Sequence, residues 1–185
     1  MGPMAIRRIY ETPEPVLRQI SKPVETFDDA LKTLVADMFE TMYDAPGIGL
    51  AAVQVGEPIR LLVIDLQEPK DPEDPESPVI KVPKVFINPE VLWHSDHEVP
   101  YTEGCLSVPE QYAEVMRPDR IRARWQDVEG KTYEEEIDGL LAVCLQHEMD
   151  HLNGVLFIDH LSRLKRDIVL KKLAKWRKEH DKKAA

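Results

Sequence analysis

The chain has 185 residues, 43% of them hydrophobic and 31% charged, which predicts one globular domain over residues 1–185 and excludes a disordered chain. The longest apolar run, residues 140–145, is far shorter than the ~18 residues of a membrane span, and two cysteines are too few for a disulfide scaffold. The net charge of −10 argues against binding to DNA. We therefore expect a cytoplasmic protein with no membrane segment.

The first half of the chain predicts one helix and one strand. Residues 11–15 indicate a loop that leads into a short helical turn, and apolar residues at helical spacing predict a helix over 27–43. A cluster of helix-breaking residues at 44–47 ends that helix, and a strand is predicted over 59–66. Residues 67–84 hold five prolines and five acidic residues, so we expect an exposed loop there.

The second half predicts short strands followed by two helices. Strand patterns cover 85–88, 113–116, 121–126 and 132–137, and residues 127–131 are typical of a hairpin connection. A helix over 139–152 is apolar in its first half, which predicts burial against more than one sheet, and a last helix is predicted over 162–178. The fold class is α+β, with mixed or antiparallel sheets packed around a central helix and a further helix at the C-terminus.

The strongest chemical signal is the pattern H-E-x-x-H at residues 147–151. On a helix, His147 and His151 lie one turn apart on the same face, so that both imidazoles can bind one metal ion. Glu148 is then placed to act as a general base. On an apolar helix, two histidines and a glutamate would be costly to bury without such partners. A solvated polar patch near the helix end is the alternative interpretation.

A catalytic metal site of this kind needs a third protein ligand. A third histidine at metzincin spacing is excluded, because Phe157 stands at that position, and Glu179 in the charged tail is a poor thermolysin-like ligand. Cys144 lies on the same helix face as the two histidines. Three ligands in a row along one helix would give poor tetrahedral geometry around the metal. Cys105, which would arrive from a separate segment, is the better ligand, although a cysteine by itself is more often a small core residue.

Three segments together resemble the motifs of the peptide deformylase family. Residues 47–54 resemble G-x-G-x-A-A-x-Q, residues 103–107 resemble E-G-C-x-S, and residues 146–151 resemble Q-H-E-x-D-H. The three occur in the family's order, and the resemblance covers nearly the whole chain. It implies hydrolysis of the N-formyl group from the formyl-methionine of new polypeptides, with release of formate.

The resemblance also implies residue roles. Cys105, His147 and His151 match the ligands of one divalent metal. The resemblance implies Fe²⁺, although Zn²⁺, Ni²⁺ or Co²⁺ can occupy the site in a purified sample. Glu148 matches the general acid/base. The Gln54 side chain and the Leu106 N–H match the donors to the formyl oxygen. The residues that brace the site or line a methionine pocket are Ile48, Gly49, Tyr101, Glu103, Gly104, Leu140, Val143 and Cys144. Core packing is the plainer interpretation for the apolar members.

One position departs from the family pattern. Tyr112 stands where many bacterial members carry an arginine shortly after the second motif, which puts the contacts with the substrate backbone in doubt. The metal chemistry does not depend on this position.

Residues 163–185 carry ten Lys or Arg and three Asp or Glu, a net charge of +7 that leaves −17 on the rest of the chain. A solvated helix face would explain these charges. The sharper hypothesis is docking on the ribosome in a bacterial cytoplasm, where formyl-methionyl nascent peptides emerge. If so, removal of the chain after about Arg163 should leave activity on a short peptide intact.

Two other function classes use the same metal motif. A peptidase would need a downstream ligand, for which the chain offers only His160 and Glu179. A non-catalytic metal-binding domain would have no need of Glu148 or Gln54.

Overall fold

The computed structural model describes residues 5–184 and contains three α-helices and nine strands within that range. The helices are α1 (Asp29–Asp44), α2 (Gly139–Leu152) and α3 (Arg163–Ala184). The strands are β1 (Gly49–Ala51), β2 (Leu61–Ile64), β3 (Glu68–Pro69), β4 (Val79–Ile80), β5 (Lys84–His94), β6 (Glu98–Cys105), β7 (Val108–Pro118), β8 (Arg120–Gln126) and β9 (Thr132–Asp138).

The strands form one five-stranded sheet and two separate pairs, all antiparallel. The sheet has the order β1-β2-β5-β8-β9, and the pairs are β3-β4 and the long hairpin β6-β7. The predicted α+β class is confirmed. Among the described residues, none of the helices is long and apolar enough to cross a membrane.

Helix α1 follows from its sequence. The side chain of Asp28 caps the helix by accepting a hydrogen bond from the Leu31 N–H at 3.0 Å. Met38 and Met42 are completely buried at helical spacing against the sheet. The predicted helix over 27–43 is therefore confirmed to within two residues.

Helix α2 is the central element of the fold. It contacts β1, β2, β8 and β9 of the sheet and also β7 of the hairpin, as its apolar first half predicted. The helix ends at Leu152, and two residues later Gly154 has a φ of +72°, which favours glycine. A Cβ there would also lie 2.6 Å from the backbone oxygen of Arg18. Only glycine therefore allows the chain after α2 to lie this close to the N-terminal segment.

The hairpin β6-β7 is the main feature that the sequence pattern missed. Residues 98–105, for which no strand was predicted, form β6, and the strand predicted over 113–116 extends over Val108–Pro118. Exposed and more buried positions alternate over residues 98–103, but the most buried of them is the charged Glu103, so the hydropathy pattern does not reveal the strand. Strand β5 likewise extends well beyond the predicted 85–88, with two irregularities in its register.

Two other predictions concern the surface. Residues 67–84 are largely exposed, as expected, apart from the short pairing of β3 with β4. Helix α3 begins one residue later than predicted and runs beyond 178 to Ala184. Its residues Val169 and Leu173 are buried against Val108 and Phe157, so removal of the chain after Arg163 would expose this cluster. The truncation would therefore disturb the fold itself, so it cannot serve as a specific test of ribosome docking.

We expect replacement of Asn88 by alanine to lower the free energy of unfolding by roughly 2 kcal/mol. Asn88 has a φ of +51°, which asparagine tolerates better than alanine, and its amide makes hydrogen bonds of 2.8 to 2.9 Å with the backbone of Val24 and the side chain of Gln126. Urea unfolding measures the change. Glu90→Ala, at an exposed position of the same strand, is the control, and equal losses in both variants would contradict this role of Asn88.

Candidate metal centre and its cavity

The three motif segments meet at one point of the fold. Cys105 lies at the end of β6, where the hairpin register shifts, and His147 and His151 lie on one face of α2. The ligand atoms of these three residues all lie within 4.8 Å of one another. Among residues 5–184, Cys105 is the only residue that joins the two histidines in such a group, and Cys144 and Glu179 are not part of it.

The orientation of each imidazole is set by its neighbours. His147 Nδ1 lies 2.7 Å from Glu103 Oε1, which leaves its Nε2 free for another partner. His151 Nε2 lies 3.3 Å from Cys105 Sγ. The buried Nδ1 of His151 has no hydrogen-bond partner among the described residues. One sulfur and two imidazole nitrogens that converge in this way are a donor set that suits a soft or borderline divalent metal.

The surroundings shift the pKa values of the two imidazoles in opposite directions. Burial lowers the pKa of His151 far below its usual value, with further contributions from His147 and Arg117, so this ring is available as a neutral ligand. Burial also acts to lower the pKa of His147, but hydrogen bonds to Cys105 and Glu103 outweigh it and raise that pKa well above the usual value. The acidic partners that raise the pKa of His147 would also attract a metal cation.

Arg117 is a residue beside the cluster that sequence analysis did not identify. It is buried on β7, and its guanidinium donates to both carboxylate oxygens of Glu103 at 2.6 and 2.8 Å and to Asp150 at 3.0 Å. Burial alone would raise the pKa of Glu103, but the hydrogen bonds from Arg117 and His147 bring it below its usual value. The ionised Glu103 then orients the His147 ring. Nothing in the local sequence marks Arg117 as buried.

Glu148 is buried beside the two histidines. Its Oε1 lies 3.9 Å from His147 Nε2, and its Oε2 has no hydrogen-bond partner within the part of the chain described. Burial raises the pKa of Glu148 to about 7. A Cβ on Gly49 would lie 2.7 Å from Oε1, so glycine at this position leaves the room that the carboxyl group occupies.

Gln54 and Leu106 reach the cluster from outside α2, Gln54 from a short turn at residues 52–55 and Leu106 from the turn between β6 and β7. The Gln54 side chain accepts a hydrogen bond from the Ala51 N–H at 2.9 Å and points its amide nitrogen at Ser107 Oγ (3.0 Å) and Cys105 Sγ (3.5 Å). The amide is thus held close to the metal ligands. Leu106, next to Cys105 in the turn of the hairpin, packs its side chain over Gly47.

A cavity of about 650 Å³ opens onto this cluster. Its lining includes every predicted site residue except His151, which lies completely buried beneath it. The predicted residues in the lining are Ile48, Gly49, Gln54, Tyr101, Glu103, Gly104, Cys105, Leu106, Leu140, Val143, Cys144, His147 and Glu148. Sequence analysis did not identify Ile9, Glu11 and Gln111, which also line the cavity, because they belong to no motif.

Cys144 and Tyr112 both line this cavity. Burial raises the pKa of the Cys144 thiol to about 12, which keeps the thiol neutral and favours a role as a wall of the cavity. Tyr112 is 65% exposed, and its ring covers Gly104 so closely that a Cβ there would lie 2.5 Å from the ring. Where an arginine was expected, the rim of the cavity therefore carries an aromatic ring.

Comparisons with known proteins agree with the motifs. The sequence profile described as Polypeptide deformylase matches residues 6–167. A peptide deformylase of Novosphingobium aromaticivorans is 64% identical over 95% of this chain and 99% of its own length, and one of Brucella suis is 56% identical over 93% and 94%. The crystal structure of a peptide deformylase from Legionella pneumophila matches with a TM-score of 0.84 and 46% identity, over 96% of this chain and 98% of that one.

We expect Arg117→Leu to lower the free energy of unfolding by about 3 kcal/mol and to lower the metal content, because Glu103 would be left buried without its counter-charge. Chemical denaturation and elemental analysis of the same samples measure both effects. Arg122→Leu is the matched control, since Arg122 pairs with Glu134 at the surface and its loss should cost less than about 1 kcal/mol. Equal losses in the two variants would show that the buried pair has no special role.

Proposed function

Because the chain belongs to the polypeptide deformylase family and removes the N-formyl group from newly synthesised polypeptides, we propose that the Cys105, His147 and His151 cluster is its catalytic metal site. The observation that carries this proposal is the buried Glu148 carboxyl beside three convergent ligand atoms at the base of an open cavity. We also propose that residues 1–185 act as one domain, since α3 packs into the same cluster as β7.

The metal that we propose is Fe²⁺, one per chain. The Cys/His/His donor set accepts several divalent metals, so the metal found after purification depends on which one is available. When bound, a divalent metal would lower the pKa of a water molecule toward ~7 and withdraw electrons from the formyl carbonyl.

The residues of the chain supply the remaining chemistry. Glu148, with its pKa raised to about 7, accepts a proton from the attacking water near neutral pH and returns it to the departing amino group. The Gln54 side-chain amide and the Leu106 N–H donate hydrogen bonds to the formyl oxygen as its negative charge develops. Gln54 needs little rearrangement for this, because its amide oxygen is already held by the Ala51 N–H.

The cavity has an apolar part beside Glu148. Leu140, Val143 and the neutral thiol of Cys144 lie on one side of α2 and line the cavity beside Glu148, and Ile48 and Tyr101 complete the apolar part. We propose that these residues accept the methionine side chain. Glu103 and Gly104 support the wall at which Cys105 enters the site.

We propose that the exposed basic face of α3 docks the enzyme on ribosomal RNA in the bacterial cytoplasm, close to the emerging chain. The helix buries Val169 and Leu173, and its remaining surface exposes lysines that ribosomal phosphates would attract. The exposed lysines are Lys165, Lys171, Lys172, Lys175 and Lys178.

We expect Glu148→Ala to lower kcat for formate release from formyl-Met-Ala-Ser by at least ~10²-fold, because proton transfer to and from the reacting groups is lost. The variant should keep its metal, since Glu148 is not among the proposed ligands. Protein purified without oxygen, with metal and formate measured in the same sample, gives both answers. Glu114→Ala, at an exposed position of β7, serves as control, and undiminished turnover by Glu148→Ala would exclude this role.

We expect the combined change of Lys171, Lys172, Lys175 and Lys178 to glutamate to weaken binding to purified ribosomes by at least ~10-fold and to reduce its dependence on salt. Co-sedimentation at several salt concentrations measures both quantities. The control reverses four exposed lysines elsewhere, namely Lys22, Lys70, Lys84 and Lys131. An equal loss in the control would show that total charge, rather than α3, determines binding.

A further inference from the structure

We propose that Ser107 is a positioning residue for the deformylation reaction. Its hydroxyl group holds the side-chain amide of Gln54 in the one orientation that directs an N–H toward the formyl oxygen. Ser107 is completely buried and is not part of the cavity lining, so it acts on the substrate only through Gln54. For that reason its role rests on the function proposed above for Gln54.

The side-chain amide of Gln54 has two ends of similar size and opposite hydrogen-bonding character. The oxygen only accepts hydrogen bonds, and the nitrogen only donates them. The nitrogen Nε2 lies 3.5 Å from Cys105 Sγ, on the side of the proposed metal ligands. Only this orientation lets the amide donate to a formyl oxygen, so catalysis depends on what prevents the amide from turning over.

The hydroxyl group of Ser107 has a fixed direction. Its Oγ lies 2.7 Å from the main-chain carbonyl oxygen of Tyr10, which can only accept a hydrogen bond. The hydroxyl therefore donates to Tyr10 and offers its lone pairs to Gln54 Nε2, which lies 3.0 Å away. If the amide turned over, its oxygen would face these lone pairs and the hydrogen bond would be lost.

The other end of the amide is fixed in the same sense. Gln54 Oε1 accepts a hydrogen bond from the Ala51 N–H at 2.9 Å, and a reversed amide would set two donors against each other there. Gln54 is only 1% exposed, so bulk water cannot replace the lost partners. Ala51 and Ser107 thus select one orientation together, and one N–H of Nε2 remains for the substrate.

The main chain around Ser107 is held by the N-terminal segment. The Tyr10 N–H donates to Gln54 O at 2.7 Å, and the Thr12 N–H donates to Ser107 O at 2.8 Å. The second of these bonds also fixes the turn that carries the Leu106 N–H. Because it uses only main-chain atoms, it survives a change of the Ser107 side chain. A substitution of that side chain therefore isolates its effect on Gln54.

The test measures kcat and KM for formyl-Met-Ala-Ser, with metal content, on full-length enzyme purified without oxygen. We expect Ser107→Ala to lower kcat roughly tenfold, as the loss of one orienting hydrogen bond allows. KM should change less than about twofold, because the charge on the formyl oxygen develops only in the transition state. Metal content should stay the same. Gln54→Ala should lower kcat by at least ~10²-fold.

The double variant separates positioning from a merely structural role. In the Gln54→Ala background, Ser107→Ala should cause almost no further loss of kcat, because no amide is left to orient. A further tenfold loss there would overturn the proposal, and so would an undiminished kcat in Ser107→Ala alone. Full turnover by Gln54→Ala would instead refute the function proposed for Gln54, and the positioning role with it.

Ser95→Ala is the matched control. Ser95 is also buried, its hydroxyl donates to Asp119 at 2.6 Å, and it does not line the cavity. The control should retain the kcat of the unmodified enzyme. An equal loss in Ser95→Ala and Ser107→Ala would show that deletion of any buried hydroxyl slows the enzyme, which would overturn the specific role of Ser107.

A second measurement decides the question if Ser107→Ala does not fold. In the unmodified enzyme loaded with Zn²⁺, the NMR order parameter of the Gln54 side-chain amide should be far higher than that of the exposed Gln19. Ser107→Cys keeps a side chain of similar size that donates and accepts only weakly, so its Gln54 amide should be more mobile and its kcat lower. A Gln54 amide as mobile as that of Gln19 in the unmodified enzyme would overturn the proposal.

Discussion

The buried pairing of Arg117 with Glu103 is the interaction on which the metal centre depends. Arg117 is held between Glu103 and Asp150, and Glu103 in turn holds the ring of His147 at 2.7 Å. Charges at this depth are stable only when each has a partner of opposite sign and good hydrogen bonds. The pair joins the β6-β7 hairpin to α2, so the same contacts stabilise the fold and orient a proposed ligand.

Space is the second constraint on the site. Glu148 can occupy its position because Gly49 has no side chain, and the Leu106 side chain can lie against the backbone at Gly47 for the same reason. The burial that results raises the pKa of Glu148 to about 7, which suits an acid and base that works near neutral pH. Tight packing around a carboxyl group thus has a direct consequence for the proposed chemistry.

The sequence predicted the elements that have strong internal patterns. Helix α1 has an apolar face of helical period and a capping aspartate, and α2 carries its two histidines on one turn of an apolar helix. The hairpin β6-β7 was largely missed, since its strands are stabilised by pairing with each other and its buried residues include Glu103 and Arg117. A polar residue that is buried with a partner has the same sequence signature as an exposed one.

By itself, the sequence determined the α+β class, the helix that carries His147 and His151, and the candidate residues of the site. Those conclusions rest on local periodicity and on short motifs, which residues close in the chain create. Only the tertiary structure decided that Cys105 rather than Cys144 joins the two histidines, that Arg117 balances Glu103, and that α3 is packed rather than free. Each of these depends on contacts between residues far apart in the chain, and such contacts arise from the packing of whole elements.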